Sequence, residues 1–166
     1  MRFSSIGGLT GLLFIALLSC GKEEAAKKSD TFNTVFSPAE ATFRGLDLGD
    51  ALAEVKEKER GTPKHEDSLG LVYELNLGKD REGSVEYYAP GAGRKLTAIV
   101  LNVFLKNESE ANSFYQECEN ALREKYGAPG GKIGNFSWGP TENGLEVNLR
   151  MHETSRGITL NYSTAP

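Results

Sequence analysis

The sequence predicts an α+β fold in two layers, an antiparallel meander of strands with helices on one face, in the order α-βββ-α-βββ. Three observations carry this. Five short segments alternate apolar and polar residues with a period of two, the mark of half-buried strands. The breaks within each run of strands are short and rich in Gly, Pro, Asn and Asp, so neighbouring strands join by hairpins. One longer segment between the two runs spaces its apolar residues by three and four, as a helix lying on a sheet does. The halves 46–106 and 107–163 share this order, and a tandem repeat is the architectural expectation.

The elements follow in chain order. Asp50 is placed to cap a helix over residues 51–60, with Leu48 and Leu52 closing over the cap and Gly61 and Pro63 stopping it. This helix buries Leu52 and Val55. Leu69, Leu71, Tyr73, Leu75 and Leu77 alternate with Gly70, Val72, Glu74 and Asn76 as a first strand. Turn material at 78–83 leads to a second strand, Ser84 to Tyr88. From Lys95 to Leu105 both parities are largely apolar, which places this third strand centrally in the sheet. A helix runs from Glu108 to Tyr126, with Asn107 and Glu110 at its start and Gly127 and Pro129 at its end. Its apolar stripe is Ala111, Phe114, Cys118, Ala121 and Leu122. Three strands complete the chain: Ile133 to Trp138, then Leu145 to His152 after the tight-turn pair Asn143-Gly144, then Ile158 to Tyr162.

The N-terminus carries a different kind of signal. Arg2 precedes an apolar run from Ile6 to Leu18, within the roughly 7 to 15 residues of a secretory core and short of the roughly 20 that span a bilayer. Residues 1–19 therefore read as a signal peptide. Leu17-Leu18-Ser19-Cys20 resembles the lipobox of bacterial lipoproteins. That resemblance implies cleavage before Cys20, acylation of its thiol, attachment to the membrane and a place in the cell envelope. Two or more acyl chains give a stable anchor where one does not. The charged, small residues after Cys20 read as a flexible tether, so that 20–35 connects the anchor to a single domain over 36–166. Lys22-Glu23-Glu24 resembles the surface-display signal of Bacteroidetes lipoproteins. Gly21 departs from the Asp of enterobacterial inner-membrane retention, which favours the outer membrane, on its periplasmic face or at the cell surface.

A second resemblance lies in the first helix. Leu48-Gly49-Asp50-Ala51, Glu54-Val55 and Gly61-Thr62-Pro63 resemble the Gly-Met-Thr, Gln/Glu-Val and Leu-Gly-Thr-Pro pattern of BamE/SmpA-type outer-membrane lipoproteins. Asp50-Ala51 stand in place of Met-Thr, and Glu59 stands where that pattern has an apolar residue. The resemblance implies a helix-then-strands module, repeated much as in the secreted β-lactamase inhibitor proteins, and it implies binding of proteins without chemistry.

Composition narrows the function classes. Removing 1–19 takes away Arg2 and no acid, leaving 18 basic against 23 acidic residues, interspersed, a net −5 that argues against a nucleic-acid partner. Cys118 is the one cysteine besides Cys20, so no intramolecular disulfide forms once Cys20 is acylated, and its place on the helix stripe makes it a buried apolar residue. His65 and His152 lack a second ligand at metal spacing, and residues 43–50 lack the Lys-Ser/Thr of a phosphate loop, so no metal or cofactor is expected. No nucleophile has a base at motif spacing. The expectation is a non-enzymatic, lipid-anchored protein with an envelope protein as partner. The alternatives are a surface binder of a small ligand or glycan and, more remotely, a hydrolase. Tyr87, Tyr88, Phe136 and Trp138 are the candidate binding residues, because adjacent aromatics on a strand point to opposite faces and aromatics near turns anchor interfaces. Cys20→Ser is expected to abolish acylation and lipoprotein-type cleavage; a variant that still partitions with membranes at the processed mass would refute the lipobox assignment.

Overall fold

Alternating segments find their partners in a single sheet. The structure is a computed structural model that describes residues 28–59, 61–154 and 156–165. The expected signal peptide and lipid-attachment residue, 1–19 and Cys20, lie outside the described residues. Among the described residues the fold is mixed α+β: three helices and one eight-stranded, wholly antiparallel sheet. The strands are β1 (His65–Glu66), β2 (Gly70–Glu74), β3 (Glu82–Tyr88), β4 (Ala98–Phe104), β5 (Gly130–Lys132), β6 (Asn135–Trp138), β7 (Leu145–Met151) and β8 (Gly157–Thr164). The helices are α1 (Asp30–Phe36) and α2 (Leu52–Lys58), before β1, and α3 (Glu108–Tyr126), between β4 and β5. In space the strand order is β1-β2-β3-β4-β8-β7-β6-β5, so each run of four forms a meander and the two meet where β4 pairs with β8.

Register shows which face is covered. One row across the sheet reads Leu71, Tyr87, Ile99, Tyr162, Val147, Trp138, and the row beside it reads Tyr73, Val85, Leu101, Leu160, Leu149, Phe136. All twelve side chains are buried. α3 lays Ala111, Phe114, Tyr115, Cys118 and Leu122 on this layer, and α2 adds Leu52 and Val55. Helices on one face close a single core, whose apolar burial, at about 25 cal/mol per Å², drives the fold.

α3 begins and ends as its sequence dictates: Asn107 Oδ1 accepts from the Glu110 N–H at 2.9 Å, and Gly127, at φ +84°, closes the last turn. α2 starts one residue later than expected. Ala51 occupies the N-cap, the Glu54 carboxylate reaches back to the Ala51 N–H at 3.4 Å, and Asp50 instead accepts from the Asp47 N–H at 2.9 Å, closing the preceding turn. Three elements add to the expected order. β1 and β5 are the two short edge strands, and α1 occupies the end of the segment 20–35 expected to be a tether and runs one residue past it. α1 is too short to persist alone. It is held because Ser29 caps it (Phe32 N–H to Ser29 Oγ, 3.1 Å), because the Ser29 N–H and hydroxyl both donate to Glu117 of α3 at 2.8 and 2.6 Å, and because Phe32 and Val35 are buried.

One buried charge pair ties these parts together. Arg44 donates to both carboxylate oxygens of Glu59, from Nε at 2.7 Å and from Nη2 at 3.0 Å. Its Nη1 donates to the carbonyls of Thr34 and Val35 in the last turn of α1, at 2.9 and 3.1 Å. The Tyr87 hydroxyl of β3 donates to Glu59 Oε1. Burial, then the charge of Glu59 and the hydrogen bond to it, push the Tyr87 phenol far up. Removing one partner of a buried pair strands the other charge without solvent. Glu59→Ala should therefore cost about 3–5 kcal/mol, and Tyr87→Phe about 1–2 kcal/mol for one charge-assisted hydrogen bond. Urea unfolding midpoints check both, and a Glu59→Ala cost no larger than that of Tyr87→Phe would show that the pair is solvent-screened.

Candidate functional site on the open face of the sheet

Strand geometry puts alternate residues on the face opposite the helices. There Ser84, Glu86 and Tyr88 of β3 stand beside Ala98, Val100, Asn102 and Phe104 of β4. Beyond them come Thr159, Asn161 and Ser163 of β8 and Glu146, Asn148 and Arg150 of β7. Among the described residues no helix covers this face. Its floor is made of small side chains, and a shallow depression of about 740 Å³ opens over Ser84, Asn102 and Phe104, walled by Lys64, Glu74 and Glu82. Phe104 is 41% exposed and Tyr88 37%, large values for aromatics in a sheet.

Five residues of this face form one directed chain of hydrogen bonds that crosses three strands and ends just past β7. The Tyr88 hydroxyl donates to Glu86 Oε2 at 2.6 Å, and Asn102 Nδ2 donates to Glu86 Oε1 at 3.0 Å. The Thr159 hydroxyl donates to Asn102 Oδ1 at 2.8 Å, and His152 Nε2 lies 2.8 Å from Thr159 Oγ1. The carboxylate fixes every later member. An ionised Glu86 only accepts, so Asn102 must present its NH₂ to it and its carbonyl to Thr159. Thr159 then spends its proton on Asn102, and His152 must carry a hydrogen on Nε2 and donate it. The His152 ring is braced edge-on against Phe104, with centroids 5.5 Å apart. The hydrogen bond to Glu86, with some burial, raises the Tyr88 phenol above its ordinary value.

The four candidate residues divide sharply. Tyr88 faces solvent on the open side. Tyr87, at 1% exposure, lies on the covered side, bound to Glu59. Trp138 is 3% exposed and donates from Nε1 to the Gly127 carbonyl at the end of α3, at 2.9 Å. Phe136 is 7% exposed, stacked on Tyr115 of α3 with centroids 6.2 Å apart. Tyr87, Phe136 and Trp138 are therefore core residues, because their parity faces α2 and α3, and they anchor no surface site as the chain stands. The residues that shape the open face in their place, Glu86, Asn102, Thr159, His152 and Phe104, are scattered in sequence over three strands and the residue that follows β7. Their alternate spacing marks them as facing away from the core, and their mutual contact needs the strand order.

The open face offers hydrogen-bonding groups and two exposed aromatics. Cys118 is fully buried on the helix side, whereas His152 belongs to the edge of the open face, so the sheet separates thiol from imidazole. Thr159 has no base, since the imidazole beside it donates. No group of three or more His, Cys, Asp or Glu side chains could hold a metal ion, and no helix is long and apolar enough to cross a membrane, among the described residues. Comparison with protein-family models, with curated protein sequences and with solved structures finds no match to the chain.

Burial pushes the Cys118 thiol well up and holds the Tyr115 and Tyr126 phenols at about 12. Each folded pKa lies above the unfolded one, so the stabilisation is whole below the unfolded values near 9 and 10 and is lost as pH rises through them. The urea midpoint should be flat from neutral pH to about 8.5 and fall steadily toward about 12. Iodoacetamide should leave Cys118 unmodified in the native chain at pH 8 and modify it fully in urea; ready native alkylation would contradict the burial.

Proposed function

We propose that the chain is a non-enzymatic, lipid-anchored protein of the bacterial cell envelope, attached through Cys20 to the outer membrane, whose open sheet face docks another envelope protein. The observation that carries this reading is the open face itself: side chains of three strands and His152 are locked by hydrogen bonds around two exposed aromatics. Side chains already fixed lose little rotamer freedom on binding, and aromatics in a polar setting supply the anchors of protein interfaces. A partner covering about 800 Å² of this face reaches the ordinary size of a specific complex. The lipobox and the charged linker support the placement, and the resemblance to BamE/SmpA-type proteins supports the binding class.

The tandem repeat belongs to the same reading. Each half supplies a helix and four strands, and the sheet order is mirrored about the β4–β8 pair, which supports descent of 46–106 and 107–163 from one module. A glycan or small-ligand site built on Tyr87, Tyr88 and Trp138 loses two of its three residues to the core, and a hydrolase loses the contact between Cys118 and His152.

Cross-linking in intact cells followed by pull-down should recover a discrete envelope protein. The double substitution Tyr88→Ala with Phe104→Ala should lower that recovery about tenfold while moving the thermal midpoint little. Unchanged recovery would overturn the open face as the docking site. Protease treatment of whole cells separates the periplasmic from the surface-exposed placement.

A further inference from the structure

One end of the sheet carries a second concavity, independent of the open face and of its proposed partner. It opens between the turn over 41–48, the last turn of α3 and the β6–β7 hairpin, and its volume of about 450 Å³ falls within the roughly 300 to 1,000 Å³ of small-molecule sites. On one side a carboxylate and an ammonium are clamped to a single residue. Thr42 gives its N–H and its hydroxyl to Asp47 Oδ1, at 2.8 and 2.6 Å, while its carbonyl accepts from Lys125 Nζ at 3.3 Å, with the Ala41 carbonyl as the second acceptor. Among the described residues neither charge forms an ion pair, with the other or with a third group. Lys125 Nζ also lies 5.3 Å from the centre of the Tyr126 ring. Burial lowers the Lys125 ammonium's pKa and the charge of Asp47 opposes that shift, the electrostatic mark of their nearness. The facing wall is the hairpin, held rigid by its own bonds: the Thr141 N–H donates to the Leu145 carbonyl at 2.9 Å, and the Leu145 N–H donates to Thr141 Oγ1 at 3.2 Å. Leu48, Tyr126 and Leu145, each partly buried against the core, give the cavity an apolar floor.

The hydrogen-bonding capacity left over on these walls defines the ligand. Asp47 has committed Oδ1 to Thr42 and keeps Oδ2 as an acceptor. Lys125 has given two of its three protons to carbonyls and keeps the third. Thr141 Oγ1 accepts from the Leu145 N–H and still has its own proton to give, and Asn143 at the hairpin tip brings a donor and an acceptor on one amide. The spare groups therefore mix donors with acceptors, and the one ammonium in the lining is balanced by the one carboxylate. A singly charged ligand of either sign meets a like charge beside every opposite one, and an acyl chain strands polar groups on both walls. A neutral pyranose fits both features. Each of its hydroxyls donates and accepts, so neighbouring hydroxyls bridge a carboxylate and an ammonium, while its C–H face lies on an apolar floor.

We propose that this cavity binds one neutral pyranose unit, with neighbouring hydroxyls held between Asp47 and Lys125 and its C–H face on Leu48 and Leu145. The full chain in phosphatidylcholine nanodiscs is titrated, by saturation-transfer difference NMR, with the methyl glycosides of glucose, galactose and N-acetylglucosamine, against empty nanodiscs as background. Irradiation of protein methyl groups should saturate the ring protons of at least one glycoside. Asp47→Asn keeps Oδ1 for Thr42 and turns the spare acceptor into a donor, and Lys125→Met removes the ammonium while keeping the apolar stem. Each should weaken the dissociation constant about tenfold with the circular dichroism spectrum unchanged. Glucuronate and glucosamine, which carry one charge each, should bind the unsubstituted chain more weakly than the neutral glycosides. No transfer to any glycoside above background, undiminished affinity in either variant, or tighter binding of glucuronate, glucosamine or zwitterionic alanine would each overturn the assignment.

Discussion

Arg44 and Glu59 meet in a place where neither charge has water to return to, and most of the helix layer is arranged by the terms of that meeting. A buried ion pair stabilises only when its geometry is good and its remaining donors and acceptors are satisfied, because desolvation otherwise exceeds the Coulomb attraction. Here the guanidinium fork takes both carboxylate oxygens, two carbonyls of α1 take another donor, and the Tyr87 hydroxyl adds a bond to the carboxylate. Each partner comes from a different part of the chain: the end of α1, the turn holding Arg44, the residue that caps α2 and a strand in the body of the sheet. The requirement reaches the backbone, since Arg44 sits at φ +52°, a left-handed conformation unusual for a long side chain. Such strain persists where surrounding contacts over-determine it.

The consequences run through β3 to the other side of the sheet. Tyr87 and Tyr88 are neighbours on one strand, so the hydroxyl bound to Glu59 beneath the sheet and the hydroxyl bound to Glu86 above it are set by one backbone position. A slip of β3 by one residue would exchange them, burying Tyr88 and Glu86 and exposing Tyr87 and Val85. Register is therefore specified twice, by the apolar rows against α2 and α3 and by the polar chain from Tyr88 to His152. The open face inherits its order from this double constraint.

What the sequence discloses follows from how local each signal is. α3 is legible in full, because its cap, its stripe and its terminating glycine lie within one stretch of chain. The strand from Lys95 to Leu105 announces a central place by its two apolar parities, and β4 does lie between β3 and β8. The short edge strands are harder to read: β1 has two residues, and the glycines of β5 obscure its pattern. Ile133 reads as the start of a strand, yet it occupies the β5–β6 turn beside Gly134 at φ +86° and is 89% exposed. α1 is hidden for a different reason, since its helix is fixed by Glu117 and Arg44 from remote parts of the chain. The adjacent tyrosines imply that one faces out, but which one is decided by the partner strands. Glu59 left a trace, as an acid where the resembled helix pattern is apolar, and the structure supplies its reason in Arg44.

The open face and the helix layer lie on opposite sides of one sheet, and this separation sets the order in which damage spreads through the fold. The ion pair positions the Arg44 turn against the end of α1, so loosening Glu59 should disturb the helix layer before it disturbs the polar chain on the open face.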